Sequence, residues 1–352
     1  MIRTHKIRLI PTVKQEIAFR KACGVARYSY NYNLAKWNEE YKKGNKPNMY
    51  SLKKLWNSEK PEWVYDSPKD ANIQPVIDLG KAFNNFFKGR TKHPTFHKKG
   101  INDGFYISND KAKFKNNKIQ LPKIGLVKIR EQLRFNGKIM SFTIKKEANQ
   151  WYVCVLIELP DKQKKDTNKI GIDLGVKTLA TLDNGKKYNR SKSTERNSKR
   201  LKVAQRNLSK KKKGSNNRNK AKMKVARVHL DIRNQRKDLL HKVTSDIIKN
   251  HGNIICLEDL SVNSMLEKKV YKSLKRGIVD ASFNKFRVLM EYKANKVLYV
   301  DRYFPSSKLC CRCKTKKLDL KLSDRLYDCK NCGLLIDRDL NASINIKLNA
   351  VG

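Results

Sequence analysis

The chain has 352 residues, of which 80 are Lys or Arg and 32 are Asp or Glu, a net charge of +48. That length holds two or three domains, and that charge calls for a polyanion, nucleic acid first. There is no signal peptide, no apolar run long enough to span a bilayer and no convincing lipid-facing amphipathic helix. These absences point away from secretion and membranes and towards the cytoplasm, where pairs among the eight cysteines signal metal rather than disulfides.

Met1 to Ile10 alternate polar and apolar residues, the pattern of a strand, and Pro11 ends it. Thr12 and Gln15 form a capping box for a helix reaching about Lys43. Its rings, Tyr28, Tyr30, Tyr32 and Trp37, are expected mainly in the core, with stacking on bases as the other use. From Met49 to Lys88 the pattern stays helical with breaks near Pro61 and Pro68, and Phe83, Phe86 and Phe87 share an apolar face. Gly89 to Gly100 reads as a basic loop in which His93 and His97 contact phosphate or solvent.

Short apolar runs follow at Phe105–Ile107, Lys118–Leu121, Leu126–Ile129, Ile139–Ile144 and Trp151–Ile157, with Asn136-Gly137 as a turn between them. They predict a small barrel completed by the first strand, with residues 12–100 inserted into it. Asp161 to Asn168 is a polar linker.

Lys169 to Val176 predicts a buried strand that presents Asp173 and turns on Gly175, followed by a strand at Thr178–Leu182 and a hairpin turn at Asp183-Asn184-Gly185. Residues 192–248 form a long basic helical hairpin whose Lys210–Asn217 tip is too polar to pack and suits nucleic-acid contact. A second buried strand, Ile254 to Leu257, ends on Glu258, and Asp337-Arg338-Asp339 opens a last helix. Carboxylates gathered in so basic a chain are what phosphodiester cleavage with bound magnesium requires.

Cys310/Cys313 and Cys329/Cys332 are two CxxC knuckles with 15 residues between them, spaced to hold one tetrahedral, structural zinc. Tyr327 and Gly333 suit a ribbon with tight turns. Cys311 points away, and Cys23, Cys154 and Cys256 read as core thiols.

Several motifs together resemble the TnpB (OrfB) family of transposon-encoded RNA-guided nucleases, relatives of type V CRISPR effectors. They are Arg27–Asn31, Gly171–Gly175, Leu257–Leu260, Tyr303–Cys310 and Asp337–Ile346, the last two being the specific ones. The resemblance implies an α/β chain with a small β-barrel and a helical domain, and a RuvC-like RNase H fold with an inserted zinc ribbon. In domains it implies a barrel over 1–11 and 101–165, a helical recognition domain over 12–100, a nuclease domain over 166–304 and 336–352, and the ribbon over 305–335. It implies Asp173, Glu258 and Asp339 as catalytic ligands of two Mg2+ ions, with Asp337 assisting or capping, and Cys310, Cys313, Cys329 and Cys332 as Zn2+ ligands.

Its implied partners are a guide RNA and double-stranded target DNA next to a short flanking motif, with no membrane, the protein acting as a monomer or weak dimer. Asn72, Gln74, Asp78 and Lys81 are residue types able to address base edges in that flanking duplex. There are two departures: Ser343 stands where the family often has alanine, a small change expected to be tolerated, and no long tail is expected after the last motif. The competing readings are a nuclease-inactive RNA-guided DNA-binding regulator and a DNA transposase acting on transposon ends. Retention of all three carboxylates speaks against the first, and the resemblance against the second.

Overall fold

The computed structural model describes residues 1–160, 168–267, 271–321 and 323–350. The chain forms two compact units, Met1–Lys162 and Gln163–Gly352. Of the expected linker, Asp161 to Thr167 lie outside the described residues.

In the first unit, β1 (Ile2–Ile10) leads into α1 (Val13–Lys42), α2 (Met49–Glu59), a 3-10 turn (Glu62–Asp66) and α3 (Lys69–Phe87). The strands β2 (Gly104–Ser108), β3 (Lys113–Lys115), β4 (Lys118–Leu121), β5 (Gly125–Ile129), β6 (Lys138–Glu147) and β7 (Gln150–Glu158) follow. Seven strands make one sheet in the order β2-β6-β7-β1-β5-β4-β3, so β1 is central, and the three helices leave the chain between β1 and β2. Antiparallel alternation turns His5, Ile7 and Leu9 of β1 and Trp151, Val153, Val155 and Ile157 of β7 inward. The sheet curls as a small barrel should: Phe114 on the β3 edge meets Phe142 of β6, near the opposite edge, at 6.0 Å.

The helices share the sheet's core, for Phe19 of α1 packs on Trp151 at 4.9 Å and on Phe105 at 6.0 Å. The capping box is present: Thr12 Oγ1 accepts from the Gln15 N–H (3.3 Å) and Gln15 Oε1 from the Thr12 N–H (3.0 Å). Tyr30 and Trp37 are buried while Tyr28 is partly exposed, and of the phenylalanine face Phe83 is buried but Phe87 exposed.

Two local expectations change. Asn136-Gly137 is not a hairpin turn, since β5 pairs with β1 and β4 whereas β6 pairs with β2 and β7. Glycine is needed there for close approach, because a Cβ at Gly137 would lie 2.5 Å from the Glu158 carbonyl. The tight turn is at Ala148 and Asn149, both left-handed (φ 46° and 66°), which joins β6 to β7. The short strand β3 carries too few apolar residues to stand out in sequence.

The second unit begins with β8 (Lys169–Asp173), β9 (Thr178–Leu182) and β10 (Lys187–Asn189), continuing through α4 (Ser193–Arg196), α5 (Ser198–Ser209) and α6 (Asn216–Asn250). Next come β11 (Ile254–Glu258), α7 (Val262–Glu267), α8 (Lys272–Ala281), α9 (Phe283–Lys293) and β12 (Lys296–Val300). The cysteine knuckles, β13 (Leu326–Asp328), β14 (Leu335–Asp337) and α10 (Arg338–Asn349) complete it. Its five-stranded sheet runs β10-β9-β8-β11-β12, with β8, β11 and β12 parallel and β9 and β10 antiparallel hairpin partners on one side. The hairpin turn falls at Asp183-Asn184-Gly185 as expected, with Gly185 at φ 85°.

Both faces of β8 and β11 are covered, so both strands read as apolar runs. Ile170, Ile172, Ile255 and Leu257 pack with Leu240, Val243 and Ile247 of α6 and with Phe286, Leu289 and Met290 of α9. On the other face Cys256 packs with Val300 and Ile346. Gly171 shares that face, and there α10 comes so close that a Cβ would sit 2.1 Å from the Ser343 carbonyl. Ser343 is fully buried, and its hydroxyl donates to the Leu340 carbonyl (2.8 Å), so the serine leaves no polar group unpaired.

Candidate active site

Parallel pairing of β8 with β11 sets Ile172 opposite Leu257, so Asp173 and Glu258 come one residue later on neighbouring strands, at the same level. Period-two alternation puts both on the face that Gly171 and Cys256 share, the face covered by α10. The first turn of α10 adds Asp339. The three carboxylates distant in sequence are thus brought together by one strand pair and one helix.

Electrostatics records their proximity. Burial first, then the charges of Glu258 and Asp339, push the Asp173 carboxyl up to about 8, with Arg338 opposing. Burial also raises Glu258, and the Ser306 hydroxyl, which donates to Glu258 Oε1, opposes that rise. Converging carboxylates suit a divalent cation, which would supply the opposing charge, although among the described residues the cysteines alone hold their ligand atoms within 4.8 Å of one another.

Asp337 is differently occupied. It is the N-cap of α10, where Oδ1 accepts from the N–H groups of Asp339 and Leu340 (both 3.1 Å) and Oδ2 from Lys187 Nζ (2.7 Å). Burial works to raise its carboxyl, but Lys187 and the backbone donors hold it below the usual aspartate range. Of this pair, the charge of Asp339 acts more strongly on Asp173 than that of Asp337 does.

The four cysteines expected to bind one metal do form a cluster. Their sulfurs lie within 4.8 Å of one another, with Cys310–Cys332 at 3.6 Å and Cys313–Cys329 at 3.5 Å. A tetrahedron of ~2.3 Å Zn–S bonds would have edges of about 3.8 Å, so these four sulfurs fit zinc. Each knuckle turns through a left-handed residue, Lys314 (φ 61°) in the first and Gly333 (φ 68°) in the second. Thr315 and Asn331 lower the Cys313 thiol to about 5, the thiolate form that a metal needs. Tyr327 fills the space behind, its hydroxyl within hydrogen-bond reach of both the Lys308 (3.1 Å) and Thr315 (3.3 Å) carbonyls, which share its one proton. Cys311 stays out of the cluster. Of the thiols expected in the core, Cys23 and Cys256 are buried and Cys154 is half-buried.

In the first unit, one of the four residues expected to address base edges is buried. Asn72 is buried, its Oδ1 accepting from the Trp56 indole (3.2 Å) and its carbonyl from Ser29 Oγ (2.6 Å), so it is a core residue. Gln74 and Asp78 are paired (2.9 Å) and line a cavity of about 480 Å3 with Tyr30 and His97. His97 stacks on Tyr30 at 3.8 Å, burial followed by Arg27 lowers its pKa, and the residue stays exposed to solvent. His93 meets Phe83 and Phe86 edge-on, away from any cluster of metal ligands among the described residues.

Comparison with known proteins places this architecture. A family model described as "Probable transposase" (OrfB of IS605) matches residues 152–269, and one described as "Cas12f1-like, TNB domain" matches 283–346. The chain is 32% identical to "Putative RNA-guided DNA endonuclease InsQ" of Escherichia coli, over 98% of this chain and 91% of the relative. The chain belongs to the TnpB (OrfB) family. It is also 32% identical to a "Putative RNA-guided DNA endonuclease" of Streptomyces pristinaespiralis, covering 98% of this chain and 88% of that one. Among solved structures, the protein of a Cas12f1–sgRNA–target DNA complex superposes with a TM-score of 0.62, at 13% identity over 99% of this chain and 98% of that chain. That likeness carries the fold: a RuvC-like α/β core with a cysteine ribbon, a curled sheet and accompanying helices. A third model, described as "Helix-turn-helix domain", matches residues 1–46 of this TnpB-family chain, where the structure has β1 and one continuous helix of 30 residues.

Sequence reading missed several residues of the site: Ser306 on Glu258, Lys187 on Asp337, and the buried Asn341 and Asn345 of α10. The two asparagines did leave a signal, amides at i, i+4 on a helix that should present an apolar stripe. Ser306 lies in the Tyr303–Cys310 motif, which marked the segment but not its contact with Glu258, and Lys187 left no signal, since a lysine in a lysine-rich chain is ordinary.

Proposed function

We propose that this protein is an RNA-guided DNA endonuclease that hydrolyses target DNA at a RuvC-type site depending on two Mg2+ ions. The observation that carries this reading is the convergence of Asp173, Glu258 and Asp339, mutually repelling and half-buried, in a TnpB-family chain with a net charge of +48. Magnesium, when bound, activates water and stabilises the leaving oxygen of the phosphodiester. Asp173 at the end of β8, Glu258 at the end of β11 and Asp339 in the first turn of α10 would hold the ions. Asp337 holds the first turn of α10 in place. Arg287 and Arg302 line a cavity of about 410 Å3 beside Glu258 and offer donors to backbone phosphates.

Zinc in the Cys310/Cys313/Cys329/Cys332 cluster is structural, since the protein fills all four positions. The domain plan is a barrel over 1–11 and 101–165, helices over 12–100, the nuclease over 166–304 and 336–352 and the ribbon over 305–335. A guide RNA selects the target by base pairing, while the protein grips backbone and shape. The basic α5–α6 hairpin, with Lys210 to Lys213 at its tip, contributes to that grip. Among the described residues no helix is long and apolar enough to cross a membrane. The protein acts as a monomer or weak dimer, and one site cutting both strands does so in turn.

The test is expression with the native flanking DNA, sequencing of the RNA that copurifies, and cleavage of matching DNA with magnesium. One abundant structured RNA with a variable end, and cleavage lost in Asp173→Ala, are expected. Heterogeneous cellular RNA together with strand transfer at transposon ends would replace this reading with a transposase. Guided binding without cleavage would replace it with a regulator.

A further inference from the structure

The segment after β12 folds back over the end of β11 and fastens it twice. Arg302 donates from Nε to the Asp259 carbonyl (3.1 Å) and pairs through Nη2 with Asp259 Oδ2 (2.8 Å). A few residues on, Ser306 is buried and donates its hydroxyl to Glu258 Oε1. The backbone of Ser306 is itself held: its N–H donates to the Phe304 carbonyl (2.8 Å), and its carbonyl accepts from Asn345 Nδ2 (2.9 Å).

Asn345 does more than this. Its Nδ2 also donates to the Leu309 carbonyl (2.7 Å), and its Oδ1 accepts from Lys314 Nζ (3.3 Å) inside the first cysteine knuckle. One turn earlier on α10, Asn341 donates to the Leu309 carbonyl (2.7 Å) and accepts from the Cys311 N–H (2.9 Å). Both asparagines are essentially inaccessible. Two buried amides thus clamp the loop of Ser306 and the knuckle to the helix that carries Asp339. Buried amides fully paired in this way are costly to disturb, since any shift leaves polar groups without partners.

A glutamate has three rotatable bonds and reaches its site by choosing among rotamers. A hydroxyl donating to one carboxylate oxygen fixes that choice and leaves the other oxygen for a cation. Resting on the nuclease reading of the carboxylate site, we propose that Ser306 is a positioning residue that orients Glu258 for divalent-cation binding, and that Asn345 and Asn341 anchor it to the thiolate knuckle. The zinc ribbon is then coupled to the nuclease site through two hydrogen-bond relays, not merely attached to it.

The experiment uses the full chain with its copurified RNA and zinc, and titrates Mn2+ as the probe, read by electron paramagnetic resonance. Ser306→Ala should weaken Mn2+ binding by about tenfold or more, the usual loss when a partner of a metal ligand is removed. Ser306→Thr, which keeps the hydroxyl, should restore most of it. Zinc per chain, retained RNA and melting temperature should match the parent in both variants. Unchanged Mn2+ affinity in Ser306→Ala would overturn the proposal, as would loss of zinc or RNA alongside it, which would mark Ser306 as part of the general fold. Asp173→Ala is the control for the underlying reading: if it binds Mn2+ as the parent does, the nuclease assignment fails and the proposal falls with it. If Asp173→Ala loses Mn2+ and Ser306→Ala does not, only the positioning role is rejected.

Discussion

The second unit holds a thiol cluster and a set of converging carboxylates, built in opposite ways. The cysteine cluster is local: two turns and a short hairpin bring its sulfurs within 4.8 Å, and Thr315 and Asn331 favour a thiolate there. The carboxylate cluster is assembled from the ends of β8 and β11 and the start of α10, and its members repel one another. Local assembly gives a site whose four ligands all come from one stretch, residues 310–332. Long-range assembly gives a site whose shape depends on every contact between those three elements, and whose charge calls for a cation. This contrast fixes where each site is vulnerable.

The largest effect should come from the carboxylates. Asp173→Ala or Asp339→Ala should lower DNA cleavage by more than ~100-fold, the upper range for loss of a mere outer-shell partner. Retention of the guide RNA should be unchanged, as read by RNA copurification. Residual cleavage within tenfold of the parent for Asp339→Ala would move the metal role to Asp337.

Stripping zinc with a chelator comes next. Structural zinc sites contribute about 10–16 kcal/mol of apparent binding free energy. The melting temperature should therefore fall, and cleavage with it, because Asn341 and Asn345 join the knuckle to α10. Cys310→Ala should do the same, while Cys311→Ser should keep one zinc per chain.

Gly171→Ala tests the approach of α10 to β8. The added methyl would meet the Ser343 carbonyl at 2.1 Å and Lys347 Cβ at 2.7 Å, both on the same helix. Overpacking of this kind costs about 1–3 kcal/mol, and here it should displace Asp339 as well. Thermal melts and cleavage should fall together. Ser343→Ala, on the other side of the same contact, should stay within about 1 kcal/mol of the parent, since it removes only one local hydrogen bond.

The pH response separates the two clusters without altering either. The Asp173 carboxyl is raised in the folded protein from 3.8 to about 8. The folded state therefore holds a proton that the unfolded state gives up, and that contribution to stability is full below pH 3.8 and lost as pH rises to about 8. Magnesium-free protein should become less stable across that window, and added Mg2+ should flatten the slope. Asp173→Asn should flatten it too, and a slope unchanged in that variant would assign it to other groups.

The smallest effect is expected at Asp337→Asn, which keeps a capping side chain but loses the charge facing Lys187. Both partners are partly exposed, so the cost should be about 0.5–1 kcal/mol with cleavage largely retained.

Local features were legible where the chain carries its own instructions. The Thr12 capping box, the hairpin turn at Gly185 and the paired CxxC knuckles each depend on residues within one or two turns of each other. Asn136-Gly137 misled because a turn-forming pair was present where strand pairing overrode it, the two strands on either side having different partners. Asn72 misled for a related reason: an asparagine on a helix reads as polar surface until Trp56 and Ser29 are seen to pair with it.

At the candidate site, the amino-acid sequence carried the candidate donors, three carboxylates on apolar strands or a helix start and four thiols at metal spacing, because residue type and spacing are encoded directly. It determined the demand for a polyanion in the same way, through net charge. Only the tertiary structure decided that Asp173 and Glu258 end level on adjacent parallel strands, because register follows from which strands pair. It alone supplied the partners of Asp337, the backbone N–H groups it caps and Lys187 reaching across from β10. And it alone joined the ribbon to the nuclease face through Ser306, Asn341 and Asn345, because hydrogen bonds between segments far apart in sequence have no pattern until the backbone brings their donors and acceptors within reach.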